Sequence, residues 1–144
     1  MNQIRPEYIF RPSQIARRVA YGIGLTRTSQ RANTPWGLPM EFDPRELHGR
    51  AMLTLGLSDL RTNEIISRLV RPGDIAVDIG ANIGIMTSLM AVRAEPGGAV
   101  YAFEPHPETR SRLEANVAGW TACAREGAPV SVLPFAVSKN AGKA

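Results

Sequence analysis

Two acidic residues flanking a glycine turn are the part of this chain whose types and spacing could do chemistry. In IAVDIGANIGIMTSLMA, residues 75–91, an apolar run carries Asp78 near its end, passes through Gly80-Ala81-Asn82-Ile83-Gly84 and continues at helical spacing. Neither Gly80 nor Gly84 has a Cβ, so both can let a ligand come close to the backbone. Asp78 would sit at the C-terminal end of a strand, where ligands of open α/β sheets bind. In YAFEPHP, residues 101–107, Glu104 ends a second apolar run 20 residues after Gly84. An acid in that place accepts hydrogen bonds from both hydroxyls of a ribose. Pro105 fixes the chain beyond it, and His106 would border an adenine.

A helix start beside glycines ordinarily suggests phosphate, because its free N–H groups favour an anion. Two features argue otherwise. The turn lacks the GxGxxG spacing of dinucleotide sites and the GKS or GKT of a phosphate loop. Asp78 also directs a carboxylate into the turn, which would repel a pyrophosphate and attract an ammonium. S-adenosylmethionine carries an amino-acid ammonium and a sulfonium and has no phosphate, so it is the expected cofactor.

The elements that must position these residues follow from periodicity and breakers. Residues 75–79 and 99–103 read as short buried strands, 83–92 as a helix, 107–117 as a helix with proline at its start, and 130–135 as a third strand. Strand, helix, strand, helix, strand at this spacing implies a parallel sheet with helical crossovers. Upstream, residues 34–44 read as a hairpin turning at Gly37, 44–57 as a helix, and a second helix starts from an N-cap at Ser58 and stops at Arg71-Pro72-Gly73. A further short helix is expected from an N-cap at Ser13, with Ile15, Ala16, Val19, Ala20 and Ile23 on one side. Residues 26–39 have linker or turn composition. The expected division is thus a basic arm over residues 1–33 and a globular body over 34–144.

Composition narrows the rest. The chain has 144 residues and a net charge of +4, yet six arginines against Glu7 alone put a surplus of positive charge on residues 1–31 and leave the body nearly neutral. Such an arm can touch a polyanion, but solvated basic arms are common, and no interleaved aromatic and basic pattern surrounds Trp36 or Trp120 as in a nucleic-acid platform. No nucleic-acid partner is expected. Cys123 is the only cysteine and His48 and His106 the only histidines, which excludes an internal disulfide and a zinc cluster and fits a reducing, cytoplasmic setting. No stretch approaches the roughly 20 apolar residues of a membrane span. His48, Cys123, Trp36 and Trp120 read as capping, inert or packing residues, and Met86, Leu89 and Met90 as core.

VDIGANIG (77–84), AFEPHPETRSRLEANV (102–117) and VLPFAVSKNAGKA (132–144) resemble the FkbM-type methyltransferases, within the class I S-adenosylmethionine-dependent fold. RPGD (71–74) and the WGLP of the hairpin also look like that family, so the resemblance covers residues 34–144. It implies a Rossmann-like α/β domain in which Asp78, Gly80, Asn82 and Gly84 hold the methionine portion of the cofactor and Glu104 holds its ribose. Asp59 stands where the family often has a glutamate near the methionine end, and Ala136, Val137 and Ser138 would border the adenine. The family's usual strand order is 3-2-1-4-5-7-6, so this chain would supply a truncated sheet of strands 3-2-1 with an N-terminal helical and hairpin extension. The apolar strand around VDI would then be an open edge, suited to pairing with another chain.

The implied activity is methyl transfer from S-adenosylmethionine, expected to be O-methylation of a hydroxyl on a small molecule or saccharide. No residue is assigned to the transfer step itself. A catalytically incomplete methyltransferase fragment is the alternative, and a nucleotide-binding oxidoreductase module is a weaker rival because its phosphate-binding glycine pattern is missing.

Overall fold

In the computed structural model, the described residues are Val19, 29–55, 58–123 and 126–139. The helix expected from Ser13 to Ile23 lies outside them except for Val19.

The sheet is built from β3 (Ile75–Ile79), β4 (Ala99–Phe103) and β5 (Val130–Leu133), all parallel, with β4 in the middle and β3 at an edge. Val77 lies beside Tyr101 and Asp78 beside Ala102, while Ala102 lies beside Val132. Because side chains alternate along a strand, one face presents Ala76, Asp78, Val100 and Ala102, and the other Ile75, Val77, Ile79 and Tyr101. The helices α3 (Ile85–Ala94) and α4 (Pro107–Thr121) follow β3 and β4 in the chain. Both pack on the Ala76 face: Ala91 and Ala94 of α3 join Ala76 and Val100, and Leu113 and Trp120 of α4 join Ala102 and Ile83.

The hairpin comprises β1 (Gln30–Asn33) and β2 (Pro39–Phe42). It turns at Gly37, φ 93°, and Thr34 locks it, its hydroxyl donating to the Leu38 carbonyl at 3.0 Å and accepting from the Leu38 N–H at 3.1 Å. It begins before the expected boundary, since β1 lies within the segment of linker composition. Polar residues such as Gln30 and Arg31 are compatible with a strand when β2 supplies the apolar face. Leu38, Met40 and Phe42 then enter the same core as Leu113 and Trp120.

Two helices lie between hairpin and sheet, α1 (Leu47–Leu55) and α2 (Leu60–Leu69). The cap of α2 is Asp59 in place of the expected Ser58. The Asp59 carboxylate accepts from the N–H groups of Arg61 and Thr62 at 3.0 and 3.1 Å and from the Thr62 hydroxyl at 2.6 Å. A carboxylate at the helix N-terminus also meets the favourable end of the dipole, and these bonds hold it below its usual range.

Candidate functional site

The glycine turn is tied to the end of β4. The Gly80 and Ala81 N–H groups both donate to the Phe103 carbonyl, at 2.9 and 3.0 Å, and the Asn82 N–H donates to the Glu104 carboxylate at 2.9 Å. The second Glu104 oxygen accepts from the His106 N–H at 3.0 Å. Glu104, only 7% exposed, thus ties the turn, through the Asn82 N–H, to the start of the helix that follows its own strand, through the His106 N–H. Asn82 takes a left-handed conformation, φ 51°, that its short polar side chain tolerates, with Oδ1 accepting from the Ile83 N–H at 2.7 Å.

Asn116 of α4 locks the other side. It accepts from the Glu41 N–H at 2.8 Å and donates to the carbonyls of Glu41 and Ile83 at 3.1 and 2.9 Å. The Trp120 indole donates to the Pro39 carbonyl at 2.7 Å. Hairpin, α4 and turn thus form one hydrogen-bonded unit, in which a buried amide with all these partners satisfied specifies a single arrangement.

Asp78 is 9% exposed, and its carboxylate accepts from the Thr87 hydroxyl of α3 at 2.6 Å. Burial pushes its carboxyl above the ordinary range; the Thr87 hydrogen bond opposes this, and the like charge of Glu104 adds to it. A buried carboxylate whose charged neighbour has the same sign favours an arriving cation.

Beside Asp78 is a cavity of about 140 Å³, also lined by Gly80, Asn82, Met86, His48 and Ser58. Three of the five expected site residues, Asp78, Gly80 and Asn82, therefore border one space. Gly80, φ 78°, has nothing within 4 Å of where a Cβ would stand, so the backbone is open there. Gly84 and Glu104 do not border the cavity. Gly84, φ 94°, is packed: a Cβ would lie 2.5 Å from Leu113 and 2.9 Å from Trp120, so its hydrogen admits α4 and does not admit a ligand. Glu104 lies across the turn, reaching the cavity through Asn82.

His48 and Ser58 were not among the expected site residues. No local pattern marks them, since α1 and the loop before α2 reach Asp78 only through the fold. The Ser58 hydroxyl is buried and has no hydrogen-bond partner. Asp59 uses its carboxylate as a helix cap. His106 contacts Thr109 at 3.3 Å and does not line the cavity. The Cys123 thiol donates to the Gly119 carbonyl at 3.3 Å. Trp36 donates to the Ser88 hydroxyl at 2.9 Å, a packing role like that of Trp120. Among the described residues there is no cluster of three or more potential metal ligands, and no helix long and apolar enough to cross a membrane.

Comparison with known proteins follows the same segment. Residues 78–143 match the family model described as the methyltransferase FkbM domain. The chain is 51% identical over 47 residues to 31-O-demethyl-FK506 methyltransferase FkbM of Streptomyces tacrolimicus, covering 33% of this chain and 18% of that protein. It is 36% identical over 101 residues to AMB antimetabolite synthetase AmbE of Pseudomonas aeruginosa, covering 65% of this chain and 5% of that protein. The chain thus spans under a fifth of the length of these relatives.

Among solved structures, PH0793 of Pyrococcus horikoshii aligns with TM-score 0.57 and 18% identity over 86% of this chain and 47% of its own. TYW2 of P. horikoshii, solved in complex with MeSAdo, aligns with TM-score 0.55 and 18% identity over 90% of this chain and 50% of its own. These likenesses are of fold. The sequence match to the FkbM methyltransferase domain begins at Asp78 itself and runs over residues 78–143.

Proposed function

We propose that this chain is the cofactor-binding portion of an S-adenosylmethionine-dependent O-methyltransferase. The observation that carries the reading is Asp78: a buried carboxylate with a like-charged neighbour, bordering a cavity at the end of β3. An ammonium suits that place and a phosphate does not. The cofactor supplies an electrophilic methyl group on a sulfonium. Asp78 would hold its ammonium, Gly80 and Asn82 would line its methionine portion, and Glu104 would accept from its ribose hydroxyls with the lone pairs left beside its two backbone bonds. Gly84 serves the same site indirectly by letting α4 close behind the turn. The TYW2 complex with MeSAdo supports the placement of a thioether nucleoside on this fold.

The acceptor in this reading is a hydroxyl on a small molecule or saccharide, supported by the O-demethyl substrate in the name of the Streptomyces relative. A second reading, in which this portion requires further polypeptide for activity, is favoured by the open edge of β3 and by Ile75, Val77 and Ile79, which are 71%, 51% and 63% exposed. A strand of further polypeptide, or of a second copy, would pair at that edge.

Titration of the purified chain with S-adenosylmethionine and, in parallel, NAD tests the proposal by heat of binding and by the rise in melting temperature. Selective binding of S-adenosylmethionine is expected, with loss in Asp78→Ala and in Glu104→Gln. Wild-type affinity in either folded variant would remove that residue from the site, and selective binding of NAD would overturn the reading.

A further inference from the structure

We infer that His48 and Ser58 bind the carboxylate of the cofactor's amino-acid end, so that the cavity beside Asp78 is a site for a zwitterion. The inference rests on the S-adenosylmethionine reading and gives it a residue-level requirement that no sequence motif supplies.

A volume of about 140 Å³ is well below the ~300–1,000 Å³ of pockets that enclose a whole drug-sized ligand. It can admit an amino-acid terminus and leaves a nucleoside outside, toward Glu104, which does not line it. In an α-amino acid the ammonium and the carboxylate share one carbon. If Asp78 takes the ammonium, the carboxylate must lie in the same small space, where Asp78 repels it and hydrogen-bond donors are needed.

The side chains lining the cavity offer three such donors: the Ser58 hydroxyl, the His48 ring and the Asn82 amide. Asn82 is anchored within the turn by its own oxygen. Ser58 and His48 enter from outside the turn, on the loop before α2 and the first turn of α1. The Ser58 hydroxyl is buried without a partner, which a native fold rarely leaves uncompensated. The nearby Asp59 carboxylate does not compete for that hydroxyl, because it is occupied as the α2 cap. A carboxylate seated opposite Asp78 would satisfy Ser58 and accept from an imidazole N–H, which either tautomer of neutral histidine provides.

The test compares three ligands on the full chain by calorimetry: S-adenosylhomocysteine, its decarboxylated analogue 5′-deoxy-5′-(3-aminopropylthio)adenosine, and 5′-methylthioadenosine. The wild type is expected to bind S-adenosylhomocysteine at least about tenfold more tightly than the decarboxylated analogue, as hydrogen bonds to a charged group imply. Ser58→Ala and His48→Gln are each expected to erode that preference while leaving affinity for the decarboxylated analogue unchanged. Ser58→Thr, which keeps the hydroxyl, is expected to retain it, and melting curves confirm that each variant is folded. Equal weakening of both ligands in Ser58→Ala and His48→Gln, or no loss of preference, overturns the carboxylate role. Wild-type protein that binds none of the three overturns the cofactor reading itself, whereas equal binding of all three overturns only the zwitterion site.

Discussion

The two faces of the sheet contrast sharply. On one, Val100 and Ala102 are fully buried, and Leu113, Ile83 and Trp120 close over them at 0%, 1% and 6% exposure. On the other, Ile75, Val77, Ile79 and Tyr101 stand 39–71% exposed, with none of the described helices packed across them. Parallel sheets ordinarily have both faces covered. Here β3 contains the apolar residues for two covered faces but has one. The site lies on the packed side: Asp78 alternates inward with Ala76, and the turn after it is held by α4 and the hairpin. Rigidity at the candidate site thus comes from one face alone, and the contrast predicts where substitutions will matter.

Leu113→Ala should be the most damaging. It removes a fully buried side chain from the contact between α4 and the turn, and a loss of about 3–4 kcal/mol is expected from chemical denaturation. Unchanged stability would mean that α4 contributes little to the packed face.

Gly84→Ala should follow closely. Its positive φ strains any other L-residue and its Cβ meets Leu113 and Trp120, together costing on the order of 3 kcal/mol. Gly80→Ala shares the strain without the clash, so about 1–2 kcal/mol is expected, with a larger effect on cofactor affinity than on melting. Equal destabilisation by the two substitutions would erase the distinction between the packed and the open glycine.

The two buried acids should respond oppositely to pH. Asp78 has a folded pKa above its unfolded value, so the native state binds more protons in the interval between them and stability falls as pH rises through it. Asp78→Asn should therefore stabilise the chain near neutrality and flatten that part of the profile. Asp43, held down to about 2 by the Arg45 guanidinium at 2.6 Å, has the reverse sign. Its contribution is present above the ordinary carboxylate pKa and is lost as pH falls toward about 2. Melting temperature against pH for wild type, Asp78→Asn and Asp43→Asn separates the two slopes.

The smallest change is expected on the bare face. Val77→Thr should alter stability by no more than about 0.5 kcal/mol, because a half-exposed side chain has little packing to lose. The same substitution should reduce self-association in sedimentation if the open face drives it. A large loss of stability would show that this face is covered in solution.

Much of the site was legible because it is contiguous. Residues 75–84 and 99–104 contain their own strand periodicity, breakers and terminal acids, so the sequence places Asp78, Gly80, Asn82 and Glu104 at strand ends and in a turn without tertiary information. What lay beyond local reading were relationships across long separations. His48 and Ser58 reach Asp78 through the placement of α1 and α2. Asn116 joins residues 41 and 83 through a helix whose sequence shows only a surface-like amide. Gln30 and Arg31 look like linker until Glu41 and Phe42 pair with them.

The sequence by itself determined the alternation of strands and helices, the acid at each strand end and the glycine turn between them, because these depend on backbone preferences acting over a few residues. Only the tertiary structure decided that Gly84 faces a tryptophan and a leucine while Gly80 faces open space. The two glycines have the same backbone sign and nearly the same local context, and they differ in what the fold brings against them.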